Sequence, residues 1–150
     1  MTSIMASFMD MALAEARAAG ERGEVPVGCV IVRGGAVVAR AGNCTLAVRD
    51  PTAHAEIVAI RRAAAKLGSE RLDDCDVYVT LEPCAMCAGA IAFARIRRLY
   101  YGAADAKGGA VENGVKFFAS PSCHHRPEVY SGMAEAEASA LLKDFFKELR

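Results

Sequence analysis

Two short segments of this 150-residue chain place potential metal ligands beside a carboxylate. TAHAEIVAI contains His54 and Glu56, and LEPCAMCAGA, further along the chain, contains Cys84 and Cys87. Pro83 favours the start of a helix, and the i, i+3 spacing of the cysteines puts both sulfurs on one face of its first turn. The helix dipole and the unpaired N–H groups at that end favour thiolates. Two such thiolates are good ligands for zinc, although a redox Cys-x-x-Cys pair and two buried thiols are alternatives.

His54 is a candidate for a third zinc ligand, at the start of another predicted helix. Three protein ligands leave the fourth position open to water, as in catalytic zinc sites. Zinc lowers the pKa of its water to about 7, and the resulting hydroxide needs a group that moves protons, for which Glu56 is the candidate. Residues two apart on a regular helix point about 200° from each other, so His54 must sit at the lip of its helix. In a structural site Cys75 or Cys123 would be the fourth ligand, but both are badly spaced.

The charge of the chain is balanced overall but uneven along its length. Basic and acidic residues each number 18, whereas general nucleic-acid binders tend to be basic. Residues 95–126 are locally basic, with two acidic residues, Asp105 and Glu112, against six basic ones: Arg95, Arg97, Arg98, Lys107, Lys116 and Arg126. The segment is either a solvated surface with a local excess, which the sequence alone favours, or a basic rim that contacts phosphates.

The N-terminal segment predicts no secretory signal, because it lacks a basic lead and carries Asp10 and Glu15 inside an apolar helical pattern. The longest nearly uncharged stretch, residues 83–94, is too short to span a bilayer. We therefore expect a cytoplasmic protein that contacts no membrane. Structural disulfides are rare in a reducing cytosol, so metal or redox chemistry better explains the one close pair among the six cysteines. Cys29, in the apolar run VGCVIV, is expected in the core.

Apolar periodicity and turn residues predict the elements that position these side chains. Helices are expected at residues 3–19, where Gly20 ends the first one, from Pro51 and Thr52 through residue 67, at 84–95 and at 134–150. Strands are expected at 25–32 and 37–42, joined by the turn RGGA, and at 75–81, 98–103 and 128–132, with a glycine-rich loop at 104–114. Strands separated by helices imply parallel neighbours. We expect one α/β domain, 1–150, with a five-stranded mixed sheet covered by helices on both faces and the opening hairpin as its antiparallel part.

His-x-Glu followed by Pro-Cys-x-x-Cys, each at a helix start, is the signature of zinc deaminases, in which hydroxide attacks C6 of adenine or C4 of cytosine. The surrounding segments EVPVG, AGN, DPTAHAEI, VYVTLEPCAMCAGAI, DAKGGA and LLKDFF extend the pattern over nearly the whole chain, about residues 8–146. In order and spacing they resemble the bacterial tRNA-specific adenosine deaminases of the cytidine/deoxycytidylate deaminase superfamily.

The resemblance implies a three-layer α/β/α cytidine deaminase-like fold and deamination of adenosine to inosine at the wobble position of a tRNA of the tRNA-Arg type. It assigns one zinc ion per chain to His54, Cys84 and Cys87, and proton transfer to Glu56. It also implies a homodimer whose partners help to shape each other's sites. The residues that it implies for the target base and the anticodon loop are Asn43, Asp105, Lys107, His125 in the segment CHHR, and Phe145 with Phe146. Ordinary helix packing is the favoured interpretation for at least one of the two phenylalanines.

Two other functions remain open at this point. A deaminase of a free nucleobase or nucleoside, such as guanine, cytosine or cytidine, would need the same zinc chemistry. The basic stretch around Arg95 to Lys107, with Arg97 and Arg98, favours RNA, since these residues are candidates for contacts to loop phosphates. A zinc-stabilised RNA-binding subunit without activity is the third possibility, and Glu56 counts against it because such a subunit needs no proton shuttle.

Overall fold

The structure, a computed structural model, describes the backbone of residues 4–149 and the side chains of residues 8–149. Every predicted element is present within these residues. The helices are α1 (Ile4–Glu21), α2 (Ala55–Leu67), α3 (Ala85–Phe93) and α4 (Glu135–Glu148). The strands are β1 (Gly28–Arg33), β2 (Ala36–Gly42), β3 (Cys75–Leu81), β4 (Arg98–Ala103) and β5 (Glu128–Tyr130), and a short 3₁₀ turn covers Phe117–Ala119. The predicted first helical residue, Ser3, lies outside the described residues, and Gly20 lies inside α1 instead of ending it.

The strands form one five-stranded sheet in the order β2-β1-β3-β4-β5. β1 is antiparallel to both β2 and β3, whereas β3, β4 and β5 are parallel to one another. The predicted mixed sheet is therefore confirmed, and its antiparallel part extends beyond the opening hairpin to the β1–β3 pair.

Helices cover both faces of this sheet. α1 and α4 pack on one face, α2 and α3 on the other, and each face has its own apolar core. α1 lies so close to β1 that a Cβ atom at Gly28 would sit 1.9 Å from the Ala12 carbonyl oxygen. Cys29 is completely buried, as predicted. This arrangement is the predicted three-layer α/β/α fold.

The topology brings the two sequence motifs to one edge of the sheet. β2 and β3 run in the same direction, because each is antiparallel to the β1 strand between them, and β4 is parallel to β3. Asn43, Cys84 and Asp105 follow the carboxyl ends of β2, β3 and β4, and His54 precedes α2 after the loop that leaves β2. The carboxyl edge of an open α/β sheet is where binding sites usually form.

Two helix starts differ from their predicted positions. α2 begins at Ala55 and not at Pro51 or Thr52, because the Asp50 carboxylate accepts hydrogen bonds from the Thr52 N–H and hydroxyl and folds this segment into a turn. α3 begins at Ala85, so Cys84 caps the helix and does not belong to its first turn. Within the described residues, no helix is both long enough and apolar enough to cross a membrane.

Candidate active site

His54 occupies the N-cap position of α2 and has extended backbone angles, φ −67° and ψ 155°. These angles release its side chain from the helical pattern, so the prediction that His54 sits at the lip of the helix is confirmed. Glu56 lies within the first turn, where its side chain is only 4% exposed. The turn before α2 thus lets two side chains that are two residues apart approach the same point.

Cys84 and Cys87 are the N-cap and third residues of α3, directly after β3 and Pro83. Cys84 is extended, with φ −73° and ψ 176°, and its carbonyl oxygen accepts the first helical hydrogen bond, from the Ala88 N–H. Cys87 is completely buried, whereas Cys84 is partly exposed. Both sulfurs therefore lie at the positive end of the α3 dipole, which stabilises negative charge.

The donor atoms of these three residues converge. The Nδ1 atom of His54 lies 3.6 Å from the Sγ atom of Cys84 and 3.5 Å from that of Cys87. In a tetrahedral site with Zn–S bonds of about 2.3 Å and Zn–N bonds of about 2.0 Å, sulfur and nitrogen ligands are about 3.5 Å apart. The two nitrogen–sulfur distances therefore match those of a zinc site, and the three residues form a group that could hold a metal.

The donor atoms of these three residues all lie within 4.8 Å of one another. Within the described residues, no fourth histidine, cysteine or carboxylate belongs to this group. Cys75 stands at the opposite end of β3, and the thiol of Cys123 donates to the His125 carbonyl oxygen. Neither is placed as the fourth ligand of a structural site. Three protein ligands and one free position are what catalytic zinc sites have in common.

The two thiols and the imidazole share protons. The Cys84 thiolate accepts hydrogen bonds from the Cys87 thiol and from His54, which lower the pKa of Cys84 to about 4 despite its partial burial. The same contact and its burial raise the pKa of Cys87 well above the usual range. The hydrogen bond to Cys84 raises the pKa of His54. As ligands of a metal ion, both cysteines would be thiolates, because a coordinating thiol is deprotonated outright.

Burial raises the pKa of Glu56 to about 7, and the negative charge of Cys84 adds to the effect. At neutral pH the carboxyl group is therefore divided between its protonated and ionised forms. A group with a pKa near the working pH is well suited to accept a proton in one step and donate it in the next. Burial likewise raises the pKa of the neighbouring Cys29 thiol, which stays neutral.

A pocket of about 280 Å³ opens above this group. Small-molecule pockets range from roughly 300 to 1,000 Å³, so this one has room for a single base. Its floor is formed by His54, Glu56 and Cys84, and its rim includes Asn43, Asp105 and Gly108. Sequence analysis missed the remaining lining residues. Three of them could be predicted only as strand residues: Val25, Val27 and Leu81. The fourth, Glu82, lies next to the cysteine motif but belongs to no motif that indicates a function.

Two of the predicted substrate residues hold defined positions at the pocket. Asn43 is 8% exposed, and its backbone is fixed by a hydrogen bond from its N–H to the Val27 carbonyl oxygen. The Asp105 carboxylate accepts hydrogen bonds from the N–H groups of Lys107 and Gly108, so it also shapes its own loop. Lys107 lines an adjoining cleft with Asp105, Gly108, Phe146 and Leu149.

The structure does not bring His125 and Phe145 to this pocket. The Nε2 atom of His125 lies 2.7 Å from the Ile96 carbonyl oxygen, and its ring lines a separate cleft with Phe93 and Arg95. Phe145 faces the cleft between α1 and α4. Phe146, its neighbour, is 46% exposed and lines the same cleft as Lys107. Successive helical residues point about 100° apart, so only one of the two phenylalanines can face the pocket side.

The basic residues at the start of β4 are also displaced from the pocket. Arg97 donates two hydrogen bonds to Asp76, and Arg98 pairs with Glu128. Arg98 is the first residue of β4, and the pocket lies at the carboxyl end of this strand. Arg98 therefore lies at the amino-terminal end of the parallel strands, away from the pocket. Arg97 and Arg98 therefore do not border the pocket, because parallel strands carry only their carboxyl ends to the site, and their contact with loop phosphates stays a prediction.

The fold and the site together define the class of the protein, a deaminase with a cytidine deaminase-like fold. A family model for MafB19-like deaminases matches residues 5–150. The tRNA-specific adenosine deaminase of Agrobacterium fabrum is 64% identical over 143 residues, which are 95% of this chain and 94% of the relative. The chain belongs to the family of tRNA-specific adenosine deaminases, as its motifs predicted.

Solved structures agree with this assignment. A structure from a study of A-to-I editing by tRNA:A34 deaminases at the wobble position of transfer RNA is 64% identical, with a TM-score of 0.90, and the match covers 91% of this chain and 99% of that one. A guanine deaminase from Bacillus subtilis is 35% identical, with a TM-score of 0.65 and coverage of 83% and 82%. The free-base enzyme is thus the more distant of the two.

Proposed function

We propose that the chain, as a single domain over residues 1–150, is a zinc-dependent hydrolase that deaminates adenosine to inosine at the wobble position of a tRNA of the tRNA-Arg type. The observation that carries this proposal is the convergence of His54, Cys84 and Cys87 beside the buried Glu56 at the floor of a base-sized pocket. The names of the relatives supply the adenosine and the tRNA. A cytoplasmic location follows from such a substrate.

His54, Cys84 and Cys87 would hold one zinc ion per chain. When bound there, the ion would lower the pKa of the attacking water towards neutrality. Glu56 takes a proton from this water and delivers protons to the ring nitrogen and to the departing amine. Water adds at C6 of adenine and ammonia leaves, so one carboxyl group serves both directions of proton transfer. Its pKa of about 7 suits this double role.

The small pocket implies that the target base enters alone. A base in a helix would have to leave its stack, whereas a base in a single-stranded anticodon loop costs little to extrude. We assign Asn43 to reading the base, Asp105 and Lys107 to the flanking nucleotides, and Phe146, in place of Phe145, to stacking beside them. Aromatic side chains that stack on bases and cations that meet phosphates are the usual means of binding single strands.

The metal assignment is tested by measuring zinc in the purified protein. We expect one zinc per chain in the wild type and a large loss in Cys84→Ala. Cys44→Ala is the matched control, because Cys44 is also partly exposed but belongs to no ligand group among the described residues. Full activity in zinc-free protein would contradict the assignment.

We also propose a homodimer formed through α3. The outer face of this helix carries exposed apolar side chains, Met86 at 37% and Phe93 at 80%, with the small residues Gly89 and Ala90 between them. Apolar faces of this kind are typical of subunit interfaces. The cleft with His125 also contains Phe93, so His125 would lie at this interface. Phe93→Glu should convert the dimer to a monomer in sedimentation velocity, and a wild type that sediments as a monomer refutes the interface.

The deciding experiment for function compares turnover on an anticodon stem-loop with a wobble adenosine against turnover on free adenosine, cytidine and guanine. We expect the stem-loop to be deaminated and the free compounds to react poorly. The competing function is that of a free-base deaminase, favoured by the similarity to the guanine deaminase from Bacillus subtilis. Equal or better turnover of guanine, or an unreacted stem-loop, would establish that alternative instead.

A further inference from the structure

A buried carboxylate that the reaction does not use lies directly before the metal-binding cysteines. Glu82 is 2% exposed and stands between the end of β3 and Pro83. A buried charge is costly unless it is paired or hydrogen-bonded. Within the described residues Glu82 belongs to no ion pair, so its charge must be satisfied by hydrogen bonds alone.

All the hydrogen bonds that Glu82 accepts come from the loop at residues 104–114, which we call the rim loop. Its Oε1 atom accepts from the Asp105 N–H at 2.9 Å and from the Asn113 side-chain amide at 2.7 Å. Its Oε2 atom accepts from the N–H groups of Val111, Glu112 and Asn113 at 3.0, 2.9 and 3.0 Å. The carboxylate therefore closes the rim loop by joining its two ends.

The contact is close enough to constrain the sequence of the loop. A Cβ atom at Gly109 would lie 2.5 Å from the Glu82 Cδ atom and 2.5 Å from the Asp105 carbonyl oxygen. Only glycine lets the backbone pass over the carboxylate at this distance. Burial alone would raise the pKa of Glu82, but hydrogen bonds from Asp105 and Asn113 outweigh it and keep this pKa below its usual value.

The rim loop carries Asp105, Lys107 and Gly108, which form the border of the base pocket and of the cleft beside it. The loop contains no regular helix or strand, so its shape depends on contacts of this kind. Glu82 is followed after one residue by Cys84. The same short segment of chain thus fixes both the metal-ligand group and the border that surrounds it.

We propose that Glu82 is a positioning residue, which holds the rim loop in the shape that receives RNA beside the metal-ligand group. It lines the base pocket but does not belong to the metal-ligand group, and it acts through the backbone of residues 105 and 111–113. The RNA part of this inference rests on the proposed function. The positioning part does not, because it is measured on the protein without substrate.

Glu24 provides a matched control. It is also 2% exposed, and its carboxylate also accepts hydrogen bonds from a loop beside the pocket, those of the Leu46 and Ala47 N–H groups and the Thr45 hydroxyl. Glu24→Gln and Glu82→Gln therefore make the same chemical change at equal burial. They differ in which loop loses its anchor.

The first measurement is amide hydrogen exchange on zinc-loaded protein. In Glu82→Gln one acceptor oxygen becomes an NH₂ group that faces N–H donors, so exchange at Asp105 or at residues 111–113 should accelerate by about 10-fold or more, the range for a bond to a charged group. Glu24→Gln should instead accelerate exchange at Leu46 and Ala47. Unchanged exchange at residues 105–113 in Glu82→Gln, or equal acceleration there in Glu24→Gln, overturns the proposal.

The second measurement separates positioning from a merely structural role. With zinc content unchanged, Glu82→Gln should raise KM for the stem-loop by about tenfold, because a disordered rim loop weakens RNA binding and leaves kcat largely unchanged. Asn113→Ala removes only one of the hydrogen bonds to Glu82, so it should raise KM by less than Glu82→Gln does. This variant can replace Glu82→Gln in the test if Glu82→Gln does not fold. Loss of zinc, a fall in kcat alone, or an unchanged KM with lost protection contradicts the proposal. A wild type that does not deaminate the stem-loop refutes the proposed function and leaves the exchange result standing.

Discussion

The floor and the rim of the base pocket are built in opposite ways. The floor consists of His54, Glu56 and Cys84, with the fully buried Cys87 completing the metal-ligand group. His54 and Cys84 are helix N-caps, and Glu56 and Cys87 lie in the first turn that follows. Asn43 and Asp105 lie on the rim of the base pocket, and Lys107 and Phe146 line the adjoining cleft. The first three lie on loops and Phe146 lies in α4. The floor is therefore positioned by the packing of whole elements, whereas the rim loops are positioned by single buried glutamates.

This difference corresponds to two chemical demands. Metal ligation and proton transfer tolerate errors of only a few tenths of an ångström, and helices packed on a sheet provide that precision. Recognition of a loop substrate needs surface groups that vary in length and charge, and loops provide them. It follows that changes in the floor should abolish chemistry with binding retained, and changes in the rim should weaken binding with chemistry retained.

The largest effect is expected for Glu56→Ala. In the proposed mechanism the variant removes the proton shuttle without removing a metal ligand, and general acid–base catalysis is worth about 10²–10⁴-fold. Because Glu56 would serve several proton transfers in that mechanism, we expect turnover to fall at the upper end of that range or beyond, with zinc content and fold preserved. Metal analysis and turnover should be measured on the same sample. If zinc is lost, Glu56 is a ligand, and if turnover persists, another group moves the protons.

An intermediate effect is expected for Asn43→Ala at the inner side of the rim. Loss of one hydrogen bond to a buried polar group costs about 1–3 kcal/mol, which corresponds to about 5- to 150-fold. We expect this loss in kcat/KM for the stem-loop, with zinc retained. The matched control is Asn113→Ala, which removes an amide of the same kind from the rim loop. Asn113→Ala should act only through KM and by less than tenfold, because its amide bonds Glu82 and not the base. If Asn43→Ala shows the same small change, confined to KM, Asn43 has no special role in reading the base.

The floor was predictable from the sequence, and the rim was predictable only in part. Short motifs at helix starts fix the relative positions of neighbouring side chains locally, which makes four residues recognisable from the sequence: His54, Glu56, Cys84 and Cys87. Glu82 has no such motif, since its partners lie 23 to 31 positions away and become visible only when the rim loop is folded. The choice between Phe145 and Phe146 depends on the rotation of α4, which a pattern of apolar residues does not define to within one position.

A smaller effect is expected for Lys107→Ala at the outer side of the rim. If Lys107 contacts one phosphate, as proposed, affinity of the variant for the stem-loop should fall several-fold, and the slope of log affinity against log salt should decrease by about 1. Lys66→Ala removes the same charge from the far end of α2, about 18 Å from His54 at 1.5 Å per residue. Equal losses in the two variants would mean that RNA responds to net charge and not to the rim.

The smallest effect, no change in RNA affinity, is expected for Arg98→Ala, although Arg98 and Lys107 belong to the same basic stretch of sequence. Arg98 begins β4 and Asp105 follows its end, and at about 3.3 Å per residue the two are separated by about 20 Å. Its guanidinium is already paired with Glu128 on the edge strand β5.

Arg98→Ala should therefore leave the salt slope for the stem-loop as it is in the wild type. The comparison with Lys107→Ala is made at equal charge, on the same substrate and at the same salt concentrations. A decrease of the slope by about 1 in Arg98→Ala would show that the RNA extends across the sheet to the edge opposite the pocket. The RNA-binding surface would then include the start of β4 as well as the rim of the pocket.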